Sequence, residues 1–157
     1  MQGDGVYTPE LIVDGRFGFV GSDGRKAVSA IQEAMREPKI PMAISNASRD
    51  GNQVTVHIEV PAAERRFKGG RAVLYVALAD NRAESQVARG ENAGRSLAHV
   101  GVVRVLKQVG TIDLEAATAR NVMVAIKPGT GANGSRLVAF IQDAKTGWML
   151  AVTAQKL

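Results

Sequence analysis

The chain has 157 residues, enough for one ordinary domain or for one domain and a fragment of another. Its 20 Lys and Arg exceed 15 Asp and Glu for a net charge of +5, yet the cations stand singly apart from Arg65-Arg66 and Lys68. With only four Phe, two Tyr and one Trp to stack on bases, the composition argues against nucleic acid. Zero cysteines exclude disulfides, thiolate catalysis and Cys-ligated zinc, and no apolar run approaches the ~20 residues of a membrane span.

The first unit occupies residues 6–37. Thr8-Pro9 leads into Leu11-Ile12-Val13, a short, continuously apolar run of the kind a strand buried on both faces shows. Asp14-Gly15 predicts a hairpin turn, and Phe17, Phe19 and Val20 supply the return strand. Ser22 or Asp23 then N-caps a helix with Ala27, Val28, Ile31, Ala34 and Met35 at helical spacing, Arg25, Lys26, Gln32, Glu33 and Arg36 facing water, and Pro38 ending it. A proline-led strand, turn, strand and helix in this order match the second half of a thioredoxin-like domain, with Pro9 as the candidate cis-proline.

Beyond Pro41 the apolar period changes from 3.6 to 2. Residues 42–47 and 54–60 flank Asp50-Gly51 as a hairpin. Residues 71–79 form a strongly apolar strand, which Asp80-Asn81 is expected to turn into a further strand over 83–89. Strands follow at about 97–109 and 122–127, with a closing pair, 137–142 and 148–153, around Lys145-Thr146-Gly147. Successive short strands separated by turn signals predict an antiparallel sandwich or barrel. The expected boundary lies near Lys39-Ile40-Pro41, dividing the chain into residues 1–38 and 39–157. The fold class is thus α+β: a partial thioredoxin-like unit of two strands and one helix, followed by an antiparallel β-sandwich.

Few residues suggest chemistry. Gly129-Thr130-Gly131-Ala132-Asn133-Gly134 spells G-x-G-x-x-G after a strand, but strand-like residues follow where a dinucleotide site needs a helix, so a hairpin loop is expected. The turn Arg89-Gly90-Glu91-Asn92-Ala93-Gly94-Arg95 gathers two guanidinium groups, a carboxylate and an amide. An anionic ligand bound by Arg89, Glu91, Asn92 and Arg95, with His99 nearby, is one reading. A structural turn closed by Glu91–Arg pairing and an Asn92 cap is the other, and it is commoner for such a composition. His57 alternates with Val56 and Ile58 and is expected to face solvent or pair across strands. Ser96, His99 and Asp113 compose a triad only on paper, without a nucleophile elbow. Neither a metal site nor a cofactor is expected.

Val6-Tyr7-Thr8-Pro9-Glu10-Leu11-Ile12-Val13-Asp14-Gly15, Val20-Gly21-Ser22-Asp23, Val87 through Arg95, Val102-Val103-Arg104 and Leu137 through Asp143 together resemble the family known as domain of unknown function 1223. The resemblance implies an exported or periplasmic bacterial protein with a thioredoxin-like domain followed by a β-rich one. No charged-then-apolar segment opens this chain, so any export signal is expected upstream of Met1. Members usually start with a strand and a cysteine motif, and this chain has neither. The function expected is therefore a non-catalytic interaction or accessory module. The alternatives are a fragment of a thiol-disulfide oxidoreductase-like protein whose cysteine-bearing half is missing, and a small-anion-binding protein using the Arg89–Arg95 turn. With its leading strands missing, the edge at Glu10–Val13 is expected to pair with a second copy or another protein, without nucleic acid or membrane as a partner.

Overall fold

A computed structural model describes residues 9–64, 67, 71–90, 93–131 and 134–157. The elements in chain order are β1 (Glu10–Val13), β2 (Phe17–Val20), α1 (Gly24–Ala34), β3 (Ala43–Asp50), β4 (Gln53–Val60), β5 (Ala72–Gln86), β6 (Ser96–Ile112), β7 (Thr118–Ala125), β8 (Ser135–Asp143) and β9 (Met149–Lys156). The architecture is α+β. A hairpin and one helix precede a sandwich of two antiparallel sheets, ordered β3-β4-β7 and β6-β5-β8-β9.

The N-terminal hairpin forms where expected. Asp14 and Gly15 take φ of 57° and 67°, a left-handed pair at the centre of a tight turn that Arg16 N–H closes on the Val13 carbonyl at 3.0 Å, within a three-residue loop between the paired Val13 and Phe17. Asp23, not Ser22, caps α1 by accepting from the Lys26 N–H at 3.0 Å. The burial of the unit departs from expectation. β1 pairs with β2 alone among the described residues, and the run read as buried on both faces alternates, with Ile12 53% exposed. The helix stripe also divides. Ala27, Ala30 and Ala34 turn inward, while the larger Val28, Ile31 and Met35 stay exposed. A two-stranded ribbon covers only one narrow seam of a helix, and here the alanines occupy that seam.

The sandwich follows from strict alternation. Val54, Val56, Ile58 and Val60 of β4 and Val122 and Val124 of β7 face Leu74, Val76 and Leu78 of β5 and Leu137, Ala139 and Ile141 of β8. Ile58, Leu74, Leu78, Leu137 and Ile141 are fully buried. The Asp50-Gly51 hairpin forms as read, with Gly51 at φ 52°.

The turn expected at Asp80-Asn81 does not form. β5 continues to Gln86, and the chain reverses at Val87–Arg95, where Val87 N–H donates to the Arg95 carbonyl at 2.9 Å. Both residues find partners that a continuing strand allows. The Asp80 carboxylate is taken up by Arg104 and Gly131, and the Asn81 N–H donates to the Gly134 carbonyl at 3.0 Å. Trp148 likewise lies just outside β9, against the Arg16 guanidinium at 4.3 Å, rather than within a strand.

A dense set of polar contacts joins the N-terminal unit to the sandwich. Lys39 Nζ donates to both carboxylate oxygens of Asp14 and to the Met149 carbonyl, each at 2.7 Å. Met149 N–H donates to the Asp14 carbonyl at 3.0 Å and Ile40 N–H to the Leu150 carbonyl at 2.8 Å. Arg16 pairs with Glu37 at 2.8 Å, and its hydrogen bond holds that carboxyl below the usual range.

Candidate functional site

An exposed apolar surface built from the motifs of the sequence lies on the N-terminal unit. Leu11, Val13, Phe17 and Phe19 share the half-buried face of the hairpin, and Glu10, Ile12, Gly18 and Val20 the exposed one. On α1, Val28, Ile31 and Met35 recur at i, i+3 and i+7 and are 57%, 47% and 80% exposed. Large apolar side chains in such a row on a short helix are unusual for a solvated face. Pro9 stands immediately before β1, its carbonyl accepting from Gly21 N–H at 2.7 Å, which closes the open end of the hairpin. Thr8 lies outside the described residues.

The Arg89–Arg95 turn forms the tip of the β5–β6 hairpin. Gly90 and Gly94 adopt φ of 88° and 81°, and Gly94 N–H donates to the Val87 carbonyl at 2.8 Å. Arg89 is exposed and so is Arg95, and neither has an ion pair among the described residues. Glu91 and Asn92 lie outside the described residues. His99 sits within β6, where its Nε2 and the Ser85 hydroxyl are 2.7 Å apart across the strands. His57 is cross-strand paired, with Nδ1 2.6 Å from the Asn121 Oδ1 and Nε2 3.5 Å from Glu59. Ser96, His99 and Asp113 do not converge. β6 separates them: Asp113, just past its end, lies 14 residues from His99, on the order of 45 Å along the strand at ~3.3 Å per residue. Among the described residues no group of three potential metal ligands converges, and no helix is long and apolar enough to cross a membrane.

A cleft that the sequence reading passed over lies between β5, β6 and the glycine loop after β7. It has a volume of about 470 Å³ and is lined by Asp80, Val103, Arg104, Lys127, Pro128, Gly129 and Thr130. Asp80 continues the inward face of Leu74, Val76 and Leu78, and is only 7% exposed. Its Oδ2 accepts from Arg104 Nε at 2.7 Å and its Oδ1 from Gly131 N–H at 2.8 Å. Arg104 is the extra residue of a bulge, since Leu78 pairs with Val105 and Ala79 with Val103. A bulge re-aims a side chain out of the regular alternation. Lys127-Pro128-Gly129-Thr130 forms a turn in which Thr130 N–H donates to the Lys127 carbonyl at 3.2 Å and Gly129 takes φ 83°, as a type II turn requires. β7 and β8 belong to different sheets, so the hairpin loop expected at Gly129–Gly134 does not form: the segment, whose Ala132 and Asn133 lie outside the described residues, precedes a strand of the opposite sheet and no helix.

Asp80 was legible in principle. Period 2 from Leu74 through Leu78 places position 80 on the core face, and a carboxylate there requires a charged or N–H partner. The bulge that brings Arg104 to it leaves no comparable mark in the sequence.

A family model described as "Protein of unknown function (DUF1223)" matches residues 1–142. No curated protein matches the chain. Among solved structures, wild-type OgpA from Akkermansia muciniphila is similar with a TM-score of 0.41 and 14% identity, over 77% of this chain and 28% of that one. A β-glucosidase from Kluyveromyces marxianus in complex with glucose gives 0.37 and 12% over 76% and 14%. β-Glucosidase 3B from Thermotoga neapolitana in complex with α-D-glucose gives 0.34 and 7% over 74% and 16%. The chain spans less than a third of each of these proteins, and likeness at this level assigns no activity to it.

Proposed function

The chain belongs to the DUF1223 family, a family of unknown function, and on that premise we propose that it is a non-catalytic interaction module whose hairpin–helix unit docks a protein partner. The observation that carries this reading is the exposure of Val28, Ile31 and Met35 in one helical row. Beside it, Ile12 and Val20 are exposed on the hairpin, and β1 has a strand on one side only among the described residues. An unpaired edge offers N–H and C=O groups to an incoming strand, and a neighbouring apolar helix supplies area to bury. In a complete thioredoxin-like sheet the strand after the proline pairs on both sides, which is the geometry a partner strand would restore. The occupant we favour is a second copy of the chain.

Molar mass by light scattering across a concentration series tests this, with Ile31→Lys measured alongside. Ile31 is on the exposed row, so the substitution leaves the alanine seam intact. A dimer at high micromolar concentration that Ile31→Lys dissociates supports the reading. A monomer throughout, or a dimer indifferent to Ile31→Lys, overturns the self-docking surface.

The same open edge supports a second reading, that of a thiol-disulfide oxidoreductase-like protein whose cysteine-bearing half supplies the strand beside β1. Co-expression with such a half distinguishes the two, because thiol-disulfide exchange would then appear in the complex. The exposed Arg89 and Arg95 side chains support anion binding at the hairpin tip, a reading that their double replacement by Gln tests through the loss of ligand-induced thermal stabilisation.

A further inference from the structure

The cleft beside the glycine loop holds more positive charge than its own residues neutralise. Arg104 meets Asp80 through Nε alone, so the two Nη groups remain, and neither has a hydrogen-bond partner among the described residues. Lys127 lines the same cleft, and its ammonium has no such partner either. Asp80 offsets one of these two cations. Each of its oxygens already accepts one hydrogen bond, from Arg104 or from Gly131, so Asp80 anchors Arg104 at the floor of the cleft.

We infer that this cleft is a binding site for a small organic anion, whose carboxylate or phosphate group is held between the Nη edge of Arg104 and the ammonium of Lys127. An arginine fixed at Nε presents a flat two-donor edge that matches two oxygens of an oxyanion, and lysine adds a mobile point charge. The Asp80 contact and the bulge at Arg104 fix the guanidinium before a ligand arrives, which lowers the ordering cost of binding. A volume of about 470 Å³ falls in the lower part of the range of small-molecule sites, ~300–1,000 Å³. Val103, 55% exposed, and Pro128 give the cleft an apolar wall, so the rest of the ligand is a compact apolar group. The site is separate from the Arg89–Arg95 tip and independent of the docking surface on α1.

The experiment uses inorganic phosphate and phenyl phosphate as probes, with sodium chloride at matched ionic strength as the control. Thermal unfolding and isothermal titration calorimetry are read on the full chain. Both probes are expected to raise Tm by several degrees at saturation, with phenyl phosphate acting at lower concentration. Lys127→Met and Arg104→Met are each expected to weaken binding by roughly tenfold to a hundredfold, the range for losing a hydrogen bond to a charged group. Arg25→Gln, an exposed cation on α1 outside any proposed anion site, should leave it unchanged. Lys127 is exposed, so its variant tests the site even where Arg104→Met weakens the fold. A Tm that follows chloride alone, or binding that survives Lys127→Met undiminished, overturns the inference. Equal affinity for the two probes overturns the apolar wall.

Discussion

Gly15 and Gly147 meet backbone to backbone where the N-terminal hairpin docks on the β8–β9 turn. A Cβ on Gly15 would overlap the Gly147 carbonyl oxygen and stand 2.9 Å from its carbonyl carbon and 3.3 Å from Trp148 Cα. Two turns remote in sequence thus touch with no side chain between them, and that closeness lets Met149 N–H reach the Asp14 carbonyl.

Gly15→Ala is therefore expected to be costly for two reasons. Its φ of 67° disfavours any Cβ by about 1–2 kcal/mol, and the overlap with Gly147 adds the cost of moving a turn, about 1–3 kcal/mol. Gly51→Ala is the control, because Gly51 has φ 52° but open space around it. Urea unfolding should show Gly15→Ala losing clearly more stability than Gly51→Ala. Equal losses would mean that the close approach carries no energy.

Lys39→Met probes the same joint through charge. It removes two 2.7 Å contacts to Asp14, whose side chain is only 10% exposed, and a third to the Met149 carbonyl. Leaving that carboxylate unpaired should cost about 2 kcal/mol, below the figure for a fully buried pair because Lys39 is itself partly solvated. Asp14→Asn in the Lys39→Met background should restore part of the loss, since Asn tolerates positive φ and needs no counter-ion. Chemical denaturation of the three variants measures both effects.

Asp143 gives a pH dependence. Backbone N–H donation from Thr146 is the main cause that lowers its carboxyl pKa, with the Thr146 hydroxyl and the Lys145 N–H and charge adding to it against some desolvation. A carboxyl with a lower pKa in the folded than in the unfolded chain contributes stability that is fully present above its unfolded value, ~3.9, and disappears as pH falls through the folded value. Asp143→Asn should therefore narrow its difference from the parent protein as pH is lowered from 5 into the acid range. A difference constant across that range would show that the Lys145-Thr146-Gly147 turn does not depend on the ionised carboxylate.

Much of this architecture could be read from single features. Asp14-Gly15 and Asp50-Gly51 both formed the turns that their φ requirements imply, and alternation over Val54–Val60 placed one sheet of the core. Asp80-Asn81 has a similar composition but lies inside a strand, because Arg104 and Gly131 give the carboxylate what a turn would otherwise supply. Those partners lie 24 and 51 residues away, beyond any local pattern. The apolar stripe of α1 was visible, but its division into an alanine seam and an exposed row depends on the width of the hairpin beneath it. The cleft was hidden for a similar reason: a bulge is a change of register between strands, and neither strand records it alone.

The weight of the Asp80–Arg104 pair can be measured by a double-mutant cycle. Asp80→Ala strands the Arg104 guanidinium and the Gly131 N–H together, and removal of one partner of a shielded charged pair is strongly destabilising. Because Arg104 is 42% exposed at its side chain, water recovers part of that loss, and about 2 kcal/mol is expected. Arg104→Leu should cost a similar amount by leaving Asp80 with Gly131 alone. The double replacement Asp80→Ala/Arg104→Leu removes both charges together, so it should cost less than the sum of the single changes by at least about 1 kcal/mol. Strict additivity in urea unfolding would show that the bulge holds Arg104 by backbone geometry alone, with the Asp80 contact incidental.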